Sequence, residues 1–388
     1  MDPLTHTLTG AGLSRAGLNR ATPLATAALV LAANAPDVDI LVYAFGGEYA
    51  GLAYRRGWTH GPLAWAVVPF LVAGAVLAWD RWVRRRRAPD SPPARPGPLL
   101  LTALLGVLTH PVLDWMNTYG IRLLMPFDRR WFYGDALFII DPWVWLLLGG
   151  AVFLSGERTV AGVVGWTLLA ALTTALVVVA PIAAAAKWVW IGGVAALAAL
   201  GFLQRARYAR AHRHTAAERG AAARPGFHTR VARWGVAAAA LYIALMVAGD
   251  LVAGRRVRDA LAERGIAPVR AVMVAPDPAN PFTGSVVAAT PTAYRFGAFH
   301  WLGRPQLRLR PDSLPIRPTG MDAVIAAAAG TEAARNFLSW SRFPFFAVES
   351  RPDGWTVRIG DARYADTPGA GGLAGLVVRL DRHLRPLR

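Results

Sequence analysis

The chain has 388 residues, of which 54% are hydrophobic and only 17% charged, with a net charge of +18 and no cysteine. Soluble domains carry about 25% charged residues, so this balance excludes an ordinary soluble fold, and the missing thiol excludes disulfides, thiolate metal sites and cysteine nucleophiles. The arginines mostly flank apolar runs, as membrane orientation requires, so no nucleic-acid partner is expected despite the basic charge.

The opening Met1-Asp2-Pro3 lacks the basic start of a cleavable signal peptide, so the first apolar segment is expected to remain in the protein. Apolar segments then fall at 3–17, 22–36, 61–80, 98–116, 136–154, 159–181, 187–203 and 232–252. The first two are short, with Gly17-Leu18-Asn19-Arg20 between them, and read as a helical hairpin that dips into the membrane and returns. Most of the others approach the roughly 20 residues that cross a bilayer as helix. From about residue 253 the pattern changes to proline-rich turns and short β-type runs at 272–274, 285–288 and 355–359, with a helix over 323–337. The expected fold is an all-α polytopic membrane domain of about 7–8 membrane helices, the first two a short hairpin, with a small C-terminal α+β extramembrane domain. Residues 1–203 form the membrane domain, 204–231 a basic cytoplasmic linker, 232–252 the last membrane helix and 253–388 an extracytoplasmic domain.

Orientation follows from two basic loops, one at 81–87 and one running from Arg205 to Arg233, which are expected on the cytoplasmic side. The same trace puts polar residues of distant segments at one outer level. They are His6, then Asp37 and Asp39 in Asn34-Ala35-Pro36-Asp37-Val38-Asp39, His60, the pair His110 and Asp114, and Asp135 with Asp141. Ionisable groups in membrane segments are costly, so function is their default reading. His110 and Asp114, four residues apart, share a helix face and suit two ligands of one metal. Pro111 beside them predicts a kink or restart. Imidazole with carboxylate suits zinc first, and manganese or iron(II) next. Asp141 before Pro142 also reads as a helix cap.

At these residues the sequence resembles the bacterial inner-membrane, metal-dependent hydrolases grouped with a LexA-regulated member. The resemblance rests on Met1-Asp2-Pro3-Leu4-Thr5-His6-Thr7, Pro36-Asp37-Val38-Asp39, Arg56-Gly57-Trp58-Thr59-His60 and His110-Pro111-Val112-Leu113-Asp114. It continues in Tyr119-Gly120 and Pro126-Phe127, covers roughly residues 1–150, and returns in Asn280-Pro281-Phe282-Thr283 and Phe337-Leu338-Ser339-Trp340. Members often carry an extra histidine just before the Arg-Gly-x-Thr-His run, where this chain has Tyr54 and Arg55. The family is distantly like zinc-dependent phospholipase C, which implies phosphoester hydrolysis. Under that reading His6, Asp37, His60, His110 and Asp114 are the metal ligands. Asp39 or Asp141 orients a ligand or takes a proton, and Arg55 or Arg56 clamps a phosphate. Membrane lipids, or a lipid or lipid-linked substrate, are the expected partners. A metal- or proton-handling transporter, and a degenerate scaffold working through its C-terminal domain, are the competing readings.

Overall fold

The computed structural model describes residues 1–156, 159–211, 226–365 and 371–387. The hairpin forms as expected. Helix α1 (Pro3–Arg15) starts at Asp2, whose carboxylate accepts from the Thr5 amide at 3.0 Å. A turn through Gly17 (φ 135°) and the 3-10 segment Leu18–Arg20 leads to α2 (Ala25–Asn34). Glycine suits this turn because the conformation is one L side chains avoid. A further 3-10 segment, Ala35–Leu41, connects to α3 (Val42–Tyr54), a helix that lies between the apolar segments read from the sequence.

Helix α4 (Pro62–Trp79) continues through Asp80–Arg84 and Arg85–Arg87 to the first basic loop. Helix α5 (Pro96–Trp115) returns and is one helix through Pro111, so the expected restart does not occur. After an irregular stretch come α6 (Pro142–Ser155), α7 (Val160–Val179), α8 (Ala184–Ala211) and α9 (Phe227–Glu263). Of the expected linker 204–231, residues 212–225 lie outside the described residues.

Six helices among the described residues are long and apolar enough to cross a membrane, fewer than the sequence suggested. The difference comes from α1 and α6. At 1.5 Å per residue α1 and α6 reach only about 20 Å, short of a hydrocarbon core of about 30 Å, whereas α2 counts as part of the 30-residue run Ala25–Tyr54 that it forms with the 3-10 segment and α3. By the same measure α9 is about 55 Å long, so it extends well beyond such a core. Its last turns, with Ala253, Val257 and Leu261, bury themselves against a β-sheet.

That sheet, β1 (Ala271–Asp277), β2 (Asn280–Ala289), β3 (Ala293–His300) and β4 (Leu307–Pro315), is an antiparallel meander. The expected helix over 323–337 is two helices, α10 (Asp322–Ala329) and α11 (Glu332–Trp340). Thr331 breaks it by accepting from the Ala334 amide as an N-cap. A second antiparallel sheet follows, of β5 (Pro344–Arg351), β6 (Gly354–Asp361) and β7 (Gly375–Asp381).

This C-terminal part grips the rest of the chain. Helix α11 packs on α3, and Leu52 and Tyr119 enter its core with Phe337 and Trp340. Arg342 pairs with both oxygens of Asp135 at 2.8 Å, and Arg363 donates to the Thr118 carbonyl at 2.6 Å. The Asp361 carboxylate in turn holds Arg363 at 2.9 Å.

The helical bundle has two unlike ends. At one, Arg20 bonds Thr229 (3.0 Å), Arg233 bonds the Ala16 carbonyl (2.8 Å) and the Arg95 amide bonds Thr22 (2.7 Å). The arginines of 81–87 close this end. The polar residues singled out above gather at the other.

Candidate metal centre

Small residues bring the key helices together. A side chain on Gly10 of α1 would meet the Leu29 carbonyl of α2 at 2.9 Å, and one on Gly106 of α5 would meet the same oxygen at 2.8 Å. Such close backbone approach is how helices pack where hydrophobic driving force is weak. His6 lies one turn from Gly10 and His110 one turn from Gly106, both towards the same end of the bundle. The two rings therefore stack, with centroids 3.8 Å apart and planes 14° off parallel. The buried face of α5 carries Ala103, Gly106, Val107, His110 and Asp114 in one stripe, so Asp114 joins the same place.

Asp37 arrives from the 3-10 segment after α2, and His60 from the loop before α4. The His60 Nε2 and His110 Nε2 atoms are 3.1 Å apart. Asp114 Oδ2 lies 3.4 Å from the first and 3.7 Å from the second, and Asp37 Oδ1 lies 3.8 Å from His110 Nε2. All four ligand atoms fall within 4.8 Å of one another. Ligands bonded at about 2.1 Å to a tetrahedral ion stand about 3.4 Å apart, so the spacing matches such an ion.

Contacts on the outer side of each ring turn its Nε2 inward. His110 Nδ1 lies 2.7 Å from the Ala33 carbonyl, which only accepts, so Nδ1 carries the proton. The Thr59 hydroxyl lies 3.0 Å from Asp39 Oδ2 and 2.9 Å from His60 Nδ1; when it donates to the carboxylate it accepts from Nδ1. In that arrangement both Nε2 atoms offer lone pairs towards each other and towards two carboxylates. Two imidazole nitrogens thus converge with two carboxylate oxygens that Arg56 and Arg55 also hold, and the outer contacts of the rings are of the kind that orient metal-bound histidines. The donor set of two imidazoles and two carboxylates fits a divalent ion such as zinc.

The other expected residues are placed as follows. His6 belongs to the cluster, with Nε2 3.4 Å from Asp114 Oδ1, and neither ring nitrogen has a hydrogen-bond partner. Asp39 stands one layer out, bound by the Arg56 amide at 2.8 Å, Thr59 at 3.0 Å and Arg55 Nε at 3.3 Å. Arg55 also holds Asp37 at 3.0 Å. Arg56, one of the two expected phosphate clamps, is buried. Its Nε pairs with Asp114 Oδ2 at 2.9 Å, and its Nη1 donates to Asn117 Oδ1 at 3.0 Å and Gly120 O at 3.2 Å. Its backbone is in the left-handed region (φ 52°), which costs energy in any residue but glycine.

Asp141 is not part of the cluster. One of its oxygens caps α6, accepting from the Trp143 and Val144 amides, and the other accepts from Tyr242 at 3.1 Å. Asp135 is likewise held by Arg342. Sequence reasoning missed Asn117, Arg122 and Thr59, and also the α-amino group of Met1, which contacts Asp114 Oδ1. Thr59 had a signal, since it precedes His60 in the quoted run. Asn117 and Arg122 lie in an irregular stretch where spacing carries no information.

Fold and cluster together define a multi-helix membrane protein with a buried histidine–aspartate site in its N-terminal half. Residues 1–189 match a family model described as YdjM inner membrane protein. The matched stretch contains every residue of the cluster, and the similarity carries the membrane assignment. No curated protein and no solved structure matches the chain.

Proposed function

We propose that the chain is a membrane-bound, metal-dependent hydrolase acting on a phosphoester or lipid-linked substrate at the outer face of the inner membrane. The observation that carries this reading is the convergence of the His60 and His110 Nε2 atoms, 3.1 Å apart, with carboxylate oxygens of Asp114 and Asp37. Asp37, His60, His110 and Asp114 would hold the ion, with His6 beside them on the second oxygen of Asp114. When bound, a divalent ion supplies an acidified water with a pKa near 7 and a Lewis acid for a phosphoryl or carbonyl oxygen.

The residues of the chain do the rest. Ala33 O and Thr59 keep both histidines in the tautomer that offers Nε2 inward. Arg56 fixes Asp114, and Asp39 orients the loop from Arg55 to His60. Beneath the cluster, Leu29, Ala32, Leu99, Ala103 and Val107 are fully buried and apolar, which keeps water out from below. A transporter would need polar groups along that path, so this packing favours an enzyme over a carrier.

The arginine-rich end of the bundle lies opposite the cluster. The bias of positive charge to the cytoplasm therefore favours an extracytoplasmic site and C-terminal domain. Metal analysis of the purified protein tests the proposal, followed by assay of phosphoester cleavage with and without chelator. The expected result is bound divalent metal in the wild type and none after His110→Ala with Asp114→Ala. Metal-free wild type, or metal retained by the double variant, refutes it.

A further inference from the structure

Seven buried side-chain atoms among the described residues have no hydrogen-bond partner, and six lie in the cluster or on residues that touch its arginine or aspartate neighbours. Three of the seven belong to the candidate metal centre: both ring nitrogens of His6, and Asp114 Oδ2, which has Arg56 as an ion-pair partner. The remaining four are all donors: Asn117 Nδ2, Tyr119 OH, Arg122 Nε and Trp340 Nε1. Leaving a buried donor unpaired costs about 1–3 kcal/mol, so four together call for a common explanation.

These donors belong to one connected wall. Asn117 Oδ1 accepts from Arg56 and from the Tyr119 amide at 2.9 Å. The Arg56 guanidinium lies over the Tyr119 ring at 4.5 Å, and that ring is 5.2 Å from Trp340. Trp131 joins Tyr119 at 6.2 Å and carries Arg122 over its face at 4.9 Å. Each of the four residues is at least nine-tenths buried. Arg56, shared with Asp114, ties the wall to the metal centre.

Charge points the same way. Among the side chains, Arg55, Arg56 and Arg122 match Asp37, Asp39 and Asp114 one for one. A divalent ion in the cluster leaves an excess of positive charge, to which the Met1 α-amino group at Asp114 adds, and such an excess suits an anion such as a phosphate monoester. We infer that Asn117, Tyr119, Arg122 and Trp340 form an anion subsite that takes the phosphate of a phosphomonoester beside the metal centre. The inference rests on the metal-dependent reading above and narrows its substrate class. The phosphate source is a lipid headgroup or a water-soluble ester, and the two share this chemistry.

The test uses the purified full-length chain loaded with zinc and titrated with inorganic phosphate, read by phosphorus NMR or calorimetry. Tyr119→Phe removes one hydroxyl and keeps the ring contacts. Asn117→Asp keeps the acceptor oxygen used by Arg56 and replaces the amide donor with a repelling oxygen. A hydrogen bond to a charged group is worth roughly tenfold or more in affinity. Tyr119→Phe is therefore expected to weaken phosphate binding about tenfold, and Asn117→Asp at least as much, with zinc content unchanged. Should Asn117→Asp fail to fold, Tyr119→Phe carries the test alone, and its melting temperature should match the wild type. Zinc-loaded wild type that binds no phosphate, or variants that bind it equally well, overturn the subsite and leave the metal centre standing. Wild type that takes up no zinc overturns both. In nanodiscs, competition of phosphate by phosphatidic acid assigns the lipid source; its absence, with phosphate still bound, assigns the soluble one.

Discussion

Asp114→Asn separates two roles that one carboxylate combines. Asp114 is fully buried and faces Arg56 Nε at 2.9 Å, His6 Nε2 and His60 Nε2 at 3.4 Å each, His110 Nε2 at 3.7 Å, and the Met1 α-amino group. Asparagine fills the same space without the charge. Arg56, only 4% exposed, then keeps just the neutral acceptors Asn117 Oδ1 and Gly120 O. Removing one partner of a buried ion pair costs about 3–5 kcal/mol, whereas removing both together is often near neutral. Asp114→Asn should thus lower the stability of the metal-free protein by about 3–5 kcal/mol. Adding Arg56→Met should recover much of that loss without recovering metal. Unfolding in detergent reads the first effect and metal content by mass spectrometry the second. Unchanged stability in the single variant would show that Arg56 does not depend on Asp114. Metal in the double variant would show that Asp114 is no ligand.

Other outcomes follow from single contacts. Thr59→Val removes the hydroxyl between His60 Nδ1 and Asp39; metal affinity should fall about 10–100-fold, and an unaltered metal titration counts against the tautomer argument. Gly106→Ala places a methyl 2.7 Å from Ala32 Cβ and 2.8 Å from the Leu29 carbonyl. It should destabilise the α2–α5 contact by about 1–3 kcal/mol, and a wild-type melting temperature would contradict that packing. Burial alone would raise the Asp361 carboxyl, but Arg363 and Ser341 outweigh it and hold it below its ordinary value. Its folded pKa therefore lies below the unfolded value of about 3.9, so its stabilisation is present above about pH 4 and is lost as pH falls through the folded value. Asp361→Asn should flatten the acid limb of the unfolding profile, and an unchanged limb would rule out this carboxylate as its source.

Much of the candidate site was legible because histidines and aspartates stand out in apolar surroundings, where they are costly. His6, Asp37, His60, His110 and Asp114 could be picked from the sequence for that reason, and His110 with Asp114 also by helical spacing. The hairpin was legible from segment length and Gly17, and the change of character near residue 253 from the loss of long apolar runs. Thr331 was a readable helix start that the apolar pattern around it concealed.

The tertiary structure alone decided how charged side chains divide among partners. Asp141 was already marked as a cap by Pro142, but that Asp39 orients the loop beside the candidate metal centre is set only by packing, which brings the Arg56 amide and Thr59 within reach. Arg56 could not be placed from its neighbours in the chain. Its burial depends on Asp114, Asn117 and Tyr119, which lie some sixty residues away and reach it through the fold. Residue chemistry marks what a group can do; the distance and direction of its partners, set by helices packed through Gly10 and Gly106, determine what it does.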